Sequence, residues 1–184
     1  MIISHVNYAL PLSLAMALAL PLATTSALTA ADKSGNHAAS LLVKDDIKFI
    51  EAANQGGLLE IKESELVLQR KAPGLNQDFA KKMVTEHQAV NKELSELASR
   101  KGVMLTDTLT DDMQKKYDAL AKTDDAKLSK EYIDCSLKGH KKTVDAFKEA
   151  SEDSKDADVK AFAAKHLPHL QAHLDEVKRI EDAQ

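Results

Sequence analysis

The sequence predicts an all-α protein built as a four-helix bundle, on three observations. Apolar residues recur at three-and-four spacing over four separate long stretches, and no stretch reads as a strand. Ala, Leu, Lys, Glu, Asp and Gln dominate the composition. The aromatic and turn-forming residues that a large sheet needs are scarce, with six Gly, four Pro, no Trp, three Tyr and four Phe in 184 residues.

The first long segment runs from about Lys44 to Lys71, with Ile47, Ile50, Asn54, Leu58, Ile61, Glu65 and Leu68 in helical register and Pro73-Gly74 as its stop. The second covers about Gln77 to Lys101. Asn76 is placed to cap it, Ala80, Met83, His87, Val90, Leu94 and Leu97 form its seam, and Gly102 ends it. A short helical piece, Asp111 to Ala121, lies in the connection that follows. The third long segment, about Lys127 to Ser151, aligns Ile133, Leu137, His140, Val144 and Phe147. The fourth, about Asp156 to Asp182, aligns Val159, Phe162, Ala163, His166, Leu170, His173, Val177 and Ile180.

Connection lengths restrict the topology. The first and last links are a few residues each, which makes two antiparallel hairpins, whereas Val103 to Asp125 is long enough to return along a helix. One such crossover is the ferritin-like arrangement. A weak internal repeat agrees with it: NQDFAKKMVTEH at Asn76 to His87 resembles DVKAFAAKHLPH at Asp158 to His169, and both open the second helix of a hairpin.

Ahead of the bundle, the first 31 residues contain no Lys, Arg, Asp or Glu. Ala9 to Leu22 is too short and too rich in Pro and Ala for a spanning helix and reads as the core of a signal peptide. Thr at −3 and Ala at −1 allow cleavage after Ala27 or Ala31. The positive amino-terminal region rests on the α-amino group and His5 alone, a departure from the usual pattern. The expected organisation is a signal peptide over 1–31, a linker over 32–43 and a helical domain over 44–182, with export to the periplasm. An uncleaved leader is the one way the chain would hold to a membrane, since no Cys follows the apolar run to carry a lipid.

Composition also excludes functions. A formal charge of −4 argues against a nucleic-acid binder. Cys135 is the sole cysteine, which rules out an internal disulfide and every multi-Cys metal motif and suits an oxidising compartment.

Three histidines then stand out, because each occupies an apolar seam: His87 between Met83 and Val90, His140 between Leu137 and Val144, and His173 between Leu170 and Val177. The rise per residue puts all three near the middle of the bundle, with His166 and His169 one to two turns lower on the fourth helix. One such histidine is ordinarily a hydrogen-bonded core residue. Three at one level need partners, because an unsatisfied buried imidazole costs ~1–3 kcal/mol. Those partners are each other, a carboxylate, or a transition metal ion such as Zn, Cu, Fe or Ni.

From the first helix, Glu60 reaches mid-bundle at the edge of a broad stripe with Phe49, Ala53 and Val67, while Glu65 is expected on a solvated flank. Glu86 with Lys82, and Glu149 with Asp145, read as surface charge. The candidate metal ligands are therefore Glu60, His87, His140 and His173. A conventional di-iron centre needs Glu-x-x-His on two helices, and the residues three before His87, His140, His169 and His173 are Val84, Leu137, His166 and Leu170. A catalytic role lacks a nucleophile motif, a phosphate-cradling loop and a second carboxylate aimed at the cluster.

Four pieces, FIEAANQGGLLEI (Phe49 to Ile61), FAKKMVTEH (Phe79 to His87), EYIDCSLKGHKKTVDAF (Glu131 to Phe147) and KAFAAKHLPHLQAHL (Lys160 to Leu174), resemble the bacterial family catalogued as domain of unknown function 4142. That family is described as ferritin-like and is often labelled as an outer membrane protein. The resemblance implies an acidic ligand at Glu60, histidines at His87, His140 and His173, and export to the cell envelope. It supplies no activity.

Within the fourth helix, Pro168 cannot donate to the carbonyl of Ala164, so a bend is expected there, which either wraps the helix around the bundle or orients His169 and His173 inward. Gly56-Gly57 suits a close approach of helices or a helix bulge. Two functions fit these residues. One is an exported metal-binding protein for metal buffering or stress protection. The other is a structural or interaction module of the envelope, with a protein partner and a hydrogen-bonded histidine core.

Overall fold

A computed structural model describes residues 42–71 and 76–184. The leader, the linker up to residue 41 and the Pro73-Gly74 stop lie outside the described residues. Four long helices and one short one follow in order: α1 Lys44–Arg70, α2 Gln77–Lys101, α3 Asp111–Ala121, α4 Asp125–Asp153 and α5 Ala157–Asp182. No strand occurs among the described residues.

The helix ends have local causes. Gly102 takes a left-handed φ of 71° and its N–H returns to the carbonyls of Ala98 and Ser99, which closes α2. Asp156 stands just before α5 as a cap, its Oδ1 accepting from the N–H groups of Asp158 at 2.9 Å and Val159 at 3.1 Å. Asn76 precedes α2 without a side-chain cap, and its amide reaches Ser129 Oγ at 3.4 Å instead. The αL conformation that ends α1 falls on Lys71, at φ 50°.

Pairings across the bundle fix the topology. Arg70 near the end of α1 meets Asp125 at the start of α4 at 2.6 Å, and Phe49 stacks edge-on against Phe147 at the other end, so α1 and α4 are antiparallel. Lys82 pairs with Glu176, and Lys101 with Asp156 just before α5, so α2 and α5 are antiparallel as well. Hence α2 and α4 point the same way, and the chain between them must climb the bundle. It climbs along α1. The amides of Asn54 and Gln55 donate to the carbonyls of Thr106 at 2.8 Å and Thr108 at 3.0 Å, and Gln55 Oε1 accepts from the Thr110 N–H at 2.8 Å. Arg70 secures the far end through the carbonyls of Ala121 and Thr123. The expected four-helix bundle with one crossover and a short crossover helix is the observed fold.

The seams read for α2, α4 and α5 are the buried faces, apart from half-buried Val90 and Ile180. The stripe read for α1 needs correction. Only Ile50 and Asn54 of it are buried, while Ile47, Leu58, Ile61, Glu65 and Leu68 are half-exposed. The face that turns inward carries Gly57, Glu60, Glu63, Ser64 and Val67. Hydropathy cannot mark such a face, because it is polar along most of its length.

At Gly57 a Cβ would collide with the carboxamide of Asn91, so this glycine serves the close approach of α1 and α2. At Pro168, α5 continues as one helix with the proline on its exposed side. His169 is exposed too, so of the pair that a bend could orient inward only His173 is buried.

Candidate metal centre

Each of α2, α4 and α5 delivers one histidine from its buried seam, and the three rings meet. Their centroids are 5.3 to 5.5 Å apart. His140 is 0% exposed, His173 2% and His87 3%. One nitrogen from each ring falls within 4.8 Å of the other two. From α1, Glu60 places Oε2 2.7 Å from His87 Nε2 and Oε1 3.5 Å from His140 Nδ1. The four residues singled out from the sequence are thus brought together.

Two of the rings have fixed tautomers. His140 Nδ1 lies 2.9 Å from the Ser136 carbonyl oxygen, which can only accept, so Nδ1 carries the proton and Nε2 is a bare lone pair. His173 Nε2 donates to Glu86 Oε2 at 2.6 Å, which leaves its Nδ1 bare. These two lone pairs face each other at 3.4 Å, and His87 Nε2 stands 3.4 Å from the same His140 nitrogen. Lone pairs converge at that separation only around a cation.

A proton is one such cation and a metal ion the other. The surroundings oppose the proton at His173, where burial, aided by the charge of the neighbouring imidazoles, holds the ring down to about 4 despite Glu86. At His87 burial also works against charge, yet the Glu60 carboxylate overrides it and the pKa is raised. Burial would raise Glu60, but the adjacent His87 and His140 hold it down to about 2, so it is an anion at any physiological pH. Its Oε2 lies 2.7 Å from His87 Nε2 and accepts from that ring whenever Nε2 carries a proton. A buried carboxylate anion beside inward-facing lone pairs is a donor set suited to a cation.

The spacing also suits a metal. Two donors each ~2.0–2.1 Å from one tetrahedral ion stand about 3.3–3.4 Å apart, the separation of the His87–His140 and His140–His173 nitrogens here. The three imidazoles therefore fit a mononuclear site, with the Glu60 carboxylate beside it at hydrogen-bond distance from His87. The His173–Glu86 bond is the outer contact that ordinarily orients a ligating histidine. Gly139 gives Glu60 its room, since a Cβ there would stand 2.8 Å from Glu60 Oε1.

Sequence reasoning missed two acidic residues. Glu86, read as surface charge, is only half-exposed and holds His173, and the Lys82 paired with it in that reading bonds Glu176. It is also the second carboxylate aimed at the cluster that the sequence did not reveal. No local signal marked it, because its partner His173 comes from α5. Glu63, one turn beyond Glu60, is 4% exposed. Burial and the charge of Glu60 push it up to about 8, against the pull of Lys116. His166 stands apart from the cluster, bonded to Glu93 at 3.0 Å and stacked near Phe162.

No curated protein matches the chain. Two solved structures share the fold. The DUF305 fragment from Deinococcus radiodurans is 9% identical at a TM-score of 0.67, over 78% of this chain and 99% of that one. The conserved hypothetical protein rv2844 from Mycobacterium tuberculosis is 13% identical at a TM-score of 0.58, over 76% of this chain and 92% of that one. At such identities they speak for the architecture alone. The model of the family named Domain of unknown function (DUF4142) matches residues 31–180, nearly the whole described bundle, and the chain belongs to that family.

Proposed function

We propose that this protein is an exported envelope protein that binds one transition metal ion through His87, His140, His173 and Glu60, and that it buffers the metal or protects against metal stress. One observation carries the reading: the bare nitrogens of His140 and His173 face each other at 3.4 Å with their ring protons already committed to Ser136 and Glu86. A bound metal would supply a charge that quenches these lone pairs and the Glu60 anion together. Export rests on the leader over residues 1–31. Among the described residues no helix is long and apolar enough to cross a membrane.

The test is elemental analysis of protein purified without a histidine tag, followed by titration with Zn, Cu, Fe and Ni. One ion per chain is expected, lost in His87→Ala, His140→Ala and His173→Ala. Absence of stoichiometric binding by every metal would overturn the reading.

A second reading has its own support. The contacts run unbroken from Glu60 through His87, His140 and His173 to Glu86, which is the form a protonated, hydrogen-bonded polar core takes. In that case the module acts by interaction, and a triple His→Gln variant would keep its fold and its partner without any metal.

A further inference from the structure

Behind Glu60, on the side away from the histidines, α1, α3 and α4 enclose a cavity of about 450 Å³. Its wall is mostly apolar and built of small residues, with Ala53 and Gly56 from α1 and Ala146 from α4. One end is closed by Phe49 and Phe147, packed edge to face at 5.0 Å. The opposite end carries Glu63 and Cys135. From Phe49 to Glu63 the cavity follows α1 for roughly 20 Å, long enough for an extended chain of medium length.

Glu60, Lys142 and Thr143 add polar groups along this channel, and Glu63, Lys116, Lys138 and Cys135 line it as well. Glu63 lines it while 4% exposed, and among the described residues no donor or acceptor hydrogen-bonds its carboxyl. Lys116 from α3 lies close enough for its charge to act on Glu63, and Lys138 and Glu63 both act on the intervening Cys135. Lys116 and Lys138 are exposed, line the same cavity and form no ion pair with a described residue. A carboxyl in need of an acceptor and two unpaired ammonium groups together describe a receptor for a small anion. The apolar channel behind them describes that anion's tail.

We propose that this cavity binds a single-chain monocarboxylate of medium length, a free fatty acid. Its head lies between Glu63, Lys116 and Lys138, and its chain runs along Ala53 and Gly56 toward the Phe49–Phe147 pair. Burial favours the protonated form of Glu63, whose O–H donates to the ligand carboxylate, and Lys116 and Lys138 set their charge against that of the Glu60 anion in the same lining. The small residues keep the channel open. A Cβ at Gly56 has only Thr143 Oγ1 in range, at 3.9 Å, so larger side chains there enter the cavity without striking backbone.

Calorimetric titration of the purified full-length protein with decanoate tests this, with decylamine and vesicles of phosphatidylglycerol as comparison arms. Saturable one-to-one binding of decanoate is expected, at least tenfold weaker in Glu63→Leu and in the Lys116→Ala/Lys138→Ala double variant. It should be abolished in Gly56→Leu, with Ala53→Leu as the second cavity-filling variant should the first misfold, and unchanged in Lys165→Ala, whose side chain pairs with Glu93 away from the cavity. Equal binding of decylamine, undiminished decanoate binding by a folded cavity-filled variant, or binding to vesicles with none to monomeric decanoate would each overturn the proposal.

Discussion

His140 Nε2 and His173 Nδ1 confront each other at 3.4 Å, each with its ring proton held on the opposite nitrogen by an acceptor outside the cluster. The backbone of α4 supplies one acceptor, Ser136 O, and the α2 side chain of Glu86 supplies the other. Buried polar groups are ordinarily arranged donor to acceptor. Here acceptors face acceptors, and an electrophile between them is what makes the arrangement favourable.

Glu86 therefore sets the tautomer of His173 from outside the cluster. Glu86→Ala should lower metal affinity 10- to 100-fold, the usual effect of losing an outer carboxylate on a ligating histidine. Chelator competition measures it. An affinity equal to that of the unsubstituted protein would show that His173 is oriented by packing alone. Because Glu86 is half-exposed, thermal stability should change little.

Gly139 tests the fourth ligand. Alanine favours a helix interior by about 0.5–1 kcal/mol over glycine, yet its Cβ would stand 2.8 Å from Glu60 Oε1 and must displace that carboxylate. Gly139→Ala is expected to keep the fold, as judged by circular dichroism, while weakening the metal at least tenfold. Full affinity in that variant would remove Glu60 from the ligand set.

How much of this could be read from residues alone depended on what each helix buries. On α2, α4 and α5 the buried face is an apolar seam broken by single histidines, so the same periodicity that located the helices located His87, His140 and His173. On α1 the buried face has Ile50, Leu66 and Val67 toward its ends, but between them runs through Asn54, Gln55, Gly57, Glu60, Glu63 and Ser64, residues that hydropathy assigns to solvent. Asn54 and Gln55 are inward because the crossover needs hydrogen-bond partners. Glu86 escaped notice because its role comes from α5, a helix far away in sequence, and a lone glutamate on a flank gives no local sign of such a neighbour.

A buried hydroxyl pair ties α1 to α4 close to the site. Ser64 Oγ donates to the Glu60 carbonyl at 2.7 Å, so the Tyr132 hydroxyl must be the donor in its 2.8 Å contact with Ser64. Tyr132→Phe should cost ~1–2 kcal/mol in urea unfolding, because it strips the buried Ser64 oxygen of a donor. A loss near zero would indicate that water replaces the hydroxyl.

The pH dependence of stability should carry the mark of Glu63. Its folded pKa is raised to about 8, from an ordinary value of 4.5, chiefly by burial and secondarily by Glu60. Between those two values the folded chain keeps a proton that the unfolded chain has released. Glu63 thus contributes stability in full below about 4.5, and the contribution is lost as pH rises through about 8. His173, whose folded pKa is lowered to about 4, works with the opposite sign and has finished titrating by about pH 7. The comparison is cleanest above neutrality, in urea unfolding of the native chain and Glu63→Gln. The two should be similar near pH 5, where the carboxyl is neutral and the amide imitates it. By pH 9 the variant should be the more stable by roughly a few kcal/mol, since the native chain must then ionise a buried carboxylate or unfold. Parallel stability curves from pH 6 to 9 would mean that Glu63 reaches water in the folded protein and titrates as a surface acid.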